Sequence, residues 1–192
     1  DIPLTMADGQ SQLNNLDLGS VGEIEILRGP SSSLYGNASG GVISVRTESN
    51  PNAAFQVDPS VITGAYGYRK WQSKIQGRNN AFNYFVNLNH TAIEGFRDHS
   101  SGEFSSVNTV IRYRMSEKTR MSALLNIYDA PYLLNPSSLD KNVSTSNPRN
   151  ARSFIIQQGS GKEISQSQTG ITIYHIIDNT NSMKSTLYGM FR

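Results

Sequence analysis

The three histidines are the residues of this chain best suited to acid–base or metal chemistry, and their placement argues against both. They are His90, His99 and His175, and no His-x-x-x-His spacing occurs. The run Asp98-His99-Ser100 has the letters of a hydrolytic triad, but adjacent residues cannot converge as a triad requires. Asp98 and His99 could hold a metal, although a polar loop is the simpler interpretation. We therefore predict no catalytic residue, no metal site and no enzyme.

Composition removes further classes of function. The 192 residues include no cysteine, which excludes disulfides, thiolate metal sites and cysteine nucleophiles. The net charge is only +2, and no basic run suggests a nucleic-acid partner. No apolar run approaches the ~18 residues of a membrane-spanning helix. A membrane-spanning β-barrel stays open, because its apolar residues alternate with polar ones.

Alternation with a period of two dominates the chain and predicts strands. In one example, Trp71, Ser73 and Ile75 alternate with Gln72 and Lys74. One face of each strand is apolar, and the other carries Asn, Gln, Lys and Arg. Since strand residues point alternately to opposite sides, the two faces meet different media. The predicted strands are roughly 55–66, 70–78, 81–93, 104–115, 119–128, 167–177 and 183–192.

The connections between these strands are expected to alternate in length. Short turns are predicted at 77–80, 115–118 and 178–181, and longer loops at 94–104 and 130–165. This asymmetry, with strands of about ten residues, is typical of an outer-membrane barrel. A soluble antiparallel sandwich with one buried face gives the same alternation and stays an alternative. The long loop counts against it, because ~12–15 structureless residues are unusual in a compact domain.

The stretch "ILRGPSSSLYGNASGGVISVRT", residues 26–47, holds small polar residues between two β-like runs. Gly29-Pro30 would end the first strand, because proline donates no ladder hydrogen bond. Gly36, Gly40 and Gly41 would allow backbone geometry that a Cβ blocks. From Gly29 to Val45 the stretch carries no charged residue, which suits packing inside another structure.

This stretch resembles the end of the plug domain of TonB-dependent outer-membrane receptors. The family pattern is a strand, Arg-Gly-Pro, small residues, Leu-Tyr-Gly, a polar turn, Gly-Gly and a second strand. The resemblance implies an all-β fold: the C-terminal part of a plug domain at 1–50, then the N-terminal part of a transmembrane antiparallel β-barrel at 51–192. The matching motif residues are Arg28, Gly29, Pro30, Leu34, Tyr35, Gly36, Gly40 and Gly41.

The same resemblance implies a substrate class. Oligosaccharide importers of the family usually carry Lys-Asp-Ala-Ser where this chain has Arg28-Gly29-Pro30-Ser31. "GFRDHS" and "YDAPYLLNPSSL" resemble outer loops of receptors for iron complexes. The expected function is import of a ferric siderophore or similar iron complex. The expected ligand-binding candidates are Tyr35 and Asn37 at the plug apex and Arg149 and Arg152 in the long loop.

The family reading also implies partners. The receptor would sit in outer-membrane lipid of a Gram-negative bacterium and be energised by the TonB–ExbB–ExbD complex, through an N-terminal segment that we do not identify in this chain. No cofactor is expected, since iron would arrive as a transported chelate. Arg28 is expected to contact the barrel, and Lys74, Arg78, Arg112 and Arg114 to form a basic, hydrated inner wall.

Three alternatives and one expectation about extent accompany this reading. A receptor of the same fold for cobalamin or another nutrient is the nearest rival. A soluble β-sandwich that binds carbohydrate through Trp71 and tyrosines is the rival from another class, and an outer-membrane enzyme lacks a catalytic set. About seven strands are fewer than the 22 of a plugged outer-membrane transporter. The chain is therefore expected to be an internal piece of a larger receptor, unstable alone because open edges leave backbone groups unpaired.

Overall fold

The computed structural model describes residues 2–4, 16–29, 40–48, 51 and 53–192. Within them the chain forms two antiparallel sheets and very little helix. The first sheet has two strands, β1 (Val21–Arg28) and β2 (Gly41–Thr47). They pair with Ile24 opposite Val45 and Arg28 opposite Gly41. A short 3₁₀ helix, Leu18–Ser20, precedes β1.

The second sheet contains seven strands in sequence order. They are β3 (Gln56–Thr63), β4 (Arg69–Asn79), β5 (Phe82–Ile93), β6 (Gly102–Arg114), β7 (Thr119–Leu134), β8 (Gly161–Ile176) and β9 (Ser182–Phe191). Every neighbouring pair is antiparallel, and no crossover interrupts the order. This is the meander that alternating strands joined by hairpins produce.

Connections at the two ends of this sheet differ in length, as predicted. β4–β5, β6–β7 and β8–β9 are joined at one end, which we call the turn end. The two longer loops, 94–101 and 135–160, lie at the opposite, loop end, together with the short β3–β4 connection 64–68. In the turn at 177–181, the Asp178 carboxylate accepts hydrogen bonds from Thr180 N at 2.8 Å and Asn181 N at 2.9 Å. These bonds satisfy the backbone donors of the turn. The side-chain amide of Asn181, followed by Thr180 N, draws the pKa of Asp178 down to about 2.

The predicted 130–165 loop is too long. β7 continues to Leu134 and β8 begins at Gly161, so the loop spans only 135–160 and contains two short helices, α1 (Lys141–Ser146) and α2 (Ser153–Gln157). A register shift between Ala130 and Leu133 carries the ladder past Pro131, which breaks regular pairing. Just before the shift, Tyr128, Ala130 and Ile164 form a small buried cluster, and Leu133 packs against it from beyond the shift. This packing favours the longer hairpin.

The polarity of the seven-stranded sheet is inverted relative to a soluble protein. The face turned toward the N-terminal segment, here called the inner face, buries polar side chains: Asn87 is 0% exposed, and Gln76, Asn89, Thr91, Ser106 and Gln168 are also buried. The opposite, outer face leaves large apolar side chains exposed, including Leu88, Leu125, Ile127, Ile171, Ile173 and Leu187. Soluble monomers rarely expose a contiguous apolar patch of this kind. An apolar medium outside and a polar filled interior explain both faces.

None of the helices in the described part of the chain is long and apolar enough to cross a membrane.

Candidate functional site

The most buried charge of the described structure joins the N-terminal segment to the inner face. The Asp17 carboxylate, 5% exposed, lies 2.7 Å from Lys70 Nζ on β4. Its second oxygen accepts a 2.6 Å hydrogen bond from Asn87 Nδ2 on β5 and a long one, 3.4 Å, from Gln72 Nε2. Gly19 N donates to the first oxygen at 3.1 Å. These contacts replace the water that the buried carboxylate has lost with a counter-charge and hydrogen-bond donors.

Sequence explains why Asp17 can sit there. The residue is the N-cap of the Leu18–Ser20 turn, so its backbone is already fixed by local hydrogen bonding. Gly19 leaves room for the barrel side: a Cβ at this position would collide with the amide group of Gln72. The turn therefore lies directly against β4.

A second ionic contact lies on the same strand, four residues after Lys70. Glu48 Oε2, just after β2, is 2.6 Å from Lys74 Nζ. Both side chains are partly exposed, 41% for Glu48 and 27% for Lys74. Forming this pair therefore removes less water from the charged groups than forming the Asp17–Lys70 pair does. Glu48 N also donates to Ser20 O at 3.0 Å, which ties the two ends of the first sheet together.

The middle of the inner face is lined by amides rather than charges. Asn108 Nδ2 donates to Asn126 Oδ1 at 2.7 Å, and Asn126 Nδ2 donates to Gln168 Oε1 at 2.9 Å. Gln168 Nε2 in turn donates to Pro3 O at 2.9 Å. A row of carboxamides thus crosses β6, β7 and β8 and ends on the N-terminal segment.

At the loop end, Arg97 fastens two loops together. Its guanidinium donates to the carbonyls of Pro136, Ser137 and Asn150 in the 135–160 loop, while Arg97 N bonds to Ser100 Oγ. Asp98 N donates to Arg149 O at 2.7 Å, and a ring nitrogen of His99 lies 2.7 Å from Ser160 O. The "GFRDHS" motif is therefore a structural clasp between loops.

The ligand candidates of the long loop are placed by this clasp. The Arg149 guanidinium lies 5.5 Å from the centre of the Phe96 ring, in cation–π contact. Arg152 Nη2 pairs with Asp140 Oδ1 at 2.9 Å, so its charge is already neutralised. Arg149 is thus better suited than Arg152 to meet an anion. Asp98 and His99 do not converge as a metal site: among the described residues, no three His, Asp or Glu side chains could hold an ion together.

The motif residues fall partly outside the described structure. Tyr35 and Asn37, the apex candidates, lie outside it, as do Pro30, Leu34 and Gly36. Arg28 ends β1, is exposed, and has no ion-pair partner within the described ranges. Gly29 has φ +101°, a left-handed conformation that favours glycine. A Cβ on Gly41 would press on Leu27 O across the hairpin.

Sequence reasoning missed Asp17 and Glu48 as the contacts between the two sheets. Lys74 was expected on the inner wall, but its partner was not named, and Lys70 was overlooked. The partners are 53 and 26 residues apart, so no local pattern links them.

Polar residues inside, apolar residues outside and an N-terminal sheet bound to the inner face define a plugged β-barrel wall of the outer-membrane type. The sandwich alternative is wrong: within the described residues, the seven-stranded sheet carries its polar, not its apolar, side inward.

Comparisons with known proteins agree. Residues 1–42 match the family model of the TonB-dependent receptor plug domain. The fold matches the solved structure of the copper transporter OprC with a TM-score of 0.70 and 13% sequence identity. The match covers 94% of this chain and 26% of that one, so the chain spans about a quarter of OprC's length.

The resemblance to TonB-dependent receptors is therefore confirmed for the plug match at residues 1–42 and for the fold of the barrel wall. The iron-complex type is not tested by these comparisons and stays a proposal. Proteins of this family are outer-membrane β-barrels that act as receptors and transporters, not a class of enzyme. We accordingly call the β1–β2 segment the plug and the seven-stranded sheet the barrel wall. The plug–barrel boundary near residue 50 stays a prediction.

Proposed function

We propose that this chain belongs to a receptor in the outer membrane of a Gram-negative bacterium that binds and imports a ferric siderophore or similar iron complex. Energy would come from the periplasmic TonB–ExbB–ExbD complex, acting on the plug. The iron is cargo and not a resident cofactor. The single observation that carries the transport function is the plug held on the polar inner face by Asp17–Lys70 and Glu48–Lys74.

These contacts suit a transporter because they hold the pore closed and can be released. The plug is attached at the two ion pairs and by exchangeable hydrogen bonds, while the barrel wall is a continuous ladder. A pull on the plug would therefore separate the two before it unfolds the wall. Binding outside could favour release only by its differential affinity for the two states.

Support for an iron complex rests on the motif resemblance and on the loop end. "GFRDHS" provides the Arg97 clasp, which presents Arg149 and Phe96 on neighbouring loops. Arg149, together with Tyr35 and Asn37 at the plug apex, would contact an anionic chelate. A cation above an aromatic ring offers both charge and a flat apolar surface to such a ligand.

Copper is the second candidate, favoured by the likeness to a copper transporter. A copper site would require soft or imidazole ligands at the loop end. His99 Nε2 is hydrogen-bonded to Ser160 O. This leaves the other ring nitrogen, Nδ1, available as a metal ligand.

Uptake assays on a strain lacking this protein separate the candidates. Cells grown without iron receive a panel of ⁵⁵Fe-labelled siderophores, ⁶⁴Cu²⁺ or labelled cobalamin, and accumulation is compared with the complemented strain. We expect the strain lacking this protein to lose uptake of one ⁵⁵Fe-labelled siderophore. Complementation should restore that uptake, and a strain without TonB should not show it. Loss of ⁶⁴Cu or cobalamin uptake alone would reassign the substrate. Recovery of the protein in the soluble fraction would contradict the transporter itself.

A further inference from the structure

A basic cavity lies on the inner face at the turn end, about as far from the loop-end ligand residues as the barrel wall allows. Its volume is about 700 Å³, within the ~300–1,000 Å³ typical of small-molecule sites. Four arginines line it, and no carboxylate does so among the described residues. The lining arginines are Arg78, Arg112, Arg114 and Arg120.

The strand register concentrates these charges. Arg78 pairs with Asn83, which pairs with Arg112, so two cations share one row across three strands. In the next row Arg114 is directly opposite Arg120. Like charges directly opposite each other across a strand pair destabilise a sheet. An anion between them would remove that cost.

The cavity also contains a hydrogen-bond donor that lacks a partner within the described structure. Arg112 Nη1 is buried without a hydrogen-bond partner in the described structure, and such an unsatisfied charged donor is destabilising. Hydroxyl groups of Ser122, Thr172 and Tyr174 also line the cavity, together with apolar side chains such as Phe82 and Met121. Arg114 is oriented by a 2.8 Å bond from its Nη2 to Asn80 O.

From these observations we infer that the cavity binds a small polyanion bearing carboxylate or phosphate groups. Guanidinium groups match such oxygens in paired geometry and stay charged at every physiological pH. The four guanidinium groups are confined to two neighbouring rows of the sheet, a spacing that matches the several oxygens of one compact anion. The inference deepens the proposed function, because an anionic chelate crossing the pore would meet this second site on the periplasmic side.

Titration calorimetry on the intact purified protein in neutral detergent tests the site without iron. The probe is tricarballylate, a tricarboxylate, with its uncharged trimethyl ester as ligand control. We expect tricarballylate to bind, with affinity that falls as NaCl is raised, and the ester not to bind. The double variant Arg112→Gln, Arg120→Gln should weaken binding at least tenfold. The matched variant Arg69→Gln, Lys141→Gln, which removes two charges at the loop end, should change affinity less than twofold.

Three results would overturn the inference. Equal affinity in both double variants would mean that binding reflects net charge alone. Binding of the ester as tightly as the acid would exclude charge recognition. Absence of binding to the wild type, with a lower melting temperature in the Arg112→Gln, Arg120→Gln variant, would assign the arginines to an acidic segment of the protein itself. Arg120→Gln alone, expected to weaken binding at least threefold, replaces the double variant if that one does not fold. Iron uptake is not measured, so failure here leaves the proposed function standing.

Discussion

Replacing Asp17 by asparagine should loosen the plug far more than any comparable change at Glu48. Asp17→Asn keeps the shape of the side chain but leaves Lys70, whose side chain is 13% exposed, without its counter-charge. Breaking a buried ion pair by removing one partner costs about 3–5 kcal/mol. Because asparagine retains some of the hydrogen bonds, we expect about 3 kcal/mol, the lower end of that range.

Hydrogen–deuterium exchange measures this free energy at the plug itself. Ser20 N bonds to Asp17 O at 3.0 Å and Val21 N to Leu18 O, so both amides exchange only when the turn opens. A loss of about 3 kcal/mol corresponds to roughly 100-fold faster exchange. The peptide covering 18–24 in the intact receptor provides the readout, and strands of the barrel wall provide the internal reference.

Glu48→Gln is the control, since its ion pair is as short but more exposed. Partly exposed pairs are worth about 1 kcal/mol or less, so exchange should rise about fivefold at most. The double variant Asp17→Asn, Lys70→Met should recover part of the loss, because it removes the stranded ammonium group. If Asp17→Asn speeds exchange by less than tenfold, or no more than Glu48→Gln does, the reasoning from burial is refuted.

Three further predictions concern the loop end, the turn end and the outer face. Arg97→Lys cannot reach the carbonyls of the 135–160 loop in the same fork geometry, so limited proteolysis should cut that loop at least several-fold faster, and an unchanged pattern would deny the clasp. Asp178 has its pKa lowered to about 2, chiefly by the Asn181 side chain and then by Thr180 N; its stabilisation of the turn is complete above the usual value of 3.8 and is lost as pH falls through about 2. Asn181→Ala should raise that pKa toward 3.8 in a carboxyl NMR titration, and an unshifted titration would contradict the assignment. Ile171→Arg, on the exposed outer face, should cost about 2–4 kcal/mol of membrane-folded stability if it faces the bilayer midplane; the neighbouring inner-face change Thr172→Asn should cost much less, and equal effects in lipid would oppose the face assignment.

The strands were predictable from sequence because their cause is local. Alternation such as Trp71, Gln72, Ser73 and Lys74 encodes which side of a strand meets which medium, and the sheet confirms it. The end of β7 was not predictable in the same way. Its continuation past Pro131 depends on packing of Tyr128 against Ile164, a residue on another strand.

The same distinction between local patterns and contacts distant in sequence applies to the residues of the site. The glycine-rich motif pointed to the family because its residues lie close together in the sequence. Asp17 and Lys70 were invisible, since their meeting depends on how two separate sheets dock. The Arg97 clasp shows an intermediate case: its motif was noticed as a resemblance, but its bonds to carbonyls leave no side-chain signature in the partner loop.

The carboxamide row across β6, β7 and β8 has a consequence for how a plug can travel. Asn and Gln present both a donor and an acceptor, so each can trade a plug partner for water with little net change in energy. Among the described residues, the charged contacts that would resist displacement along this wall are those of Asp17 and Glu48. Once those ion pairs are broken, the remaining contacts along the carboxamide row are neutral hydrogen bonds that can exchange with water. The force required to move the plug should then fall abruptly instead of rising with distance.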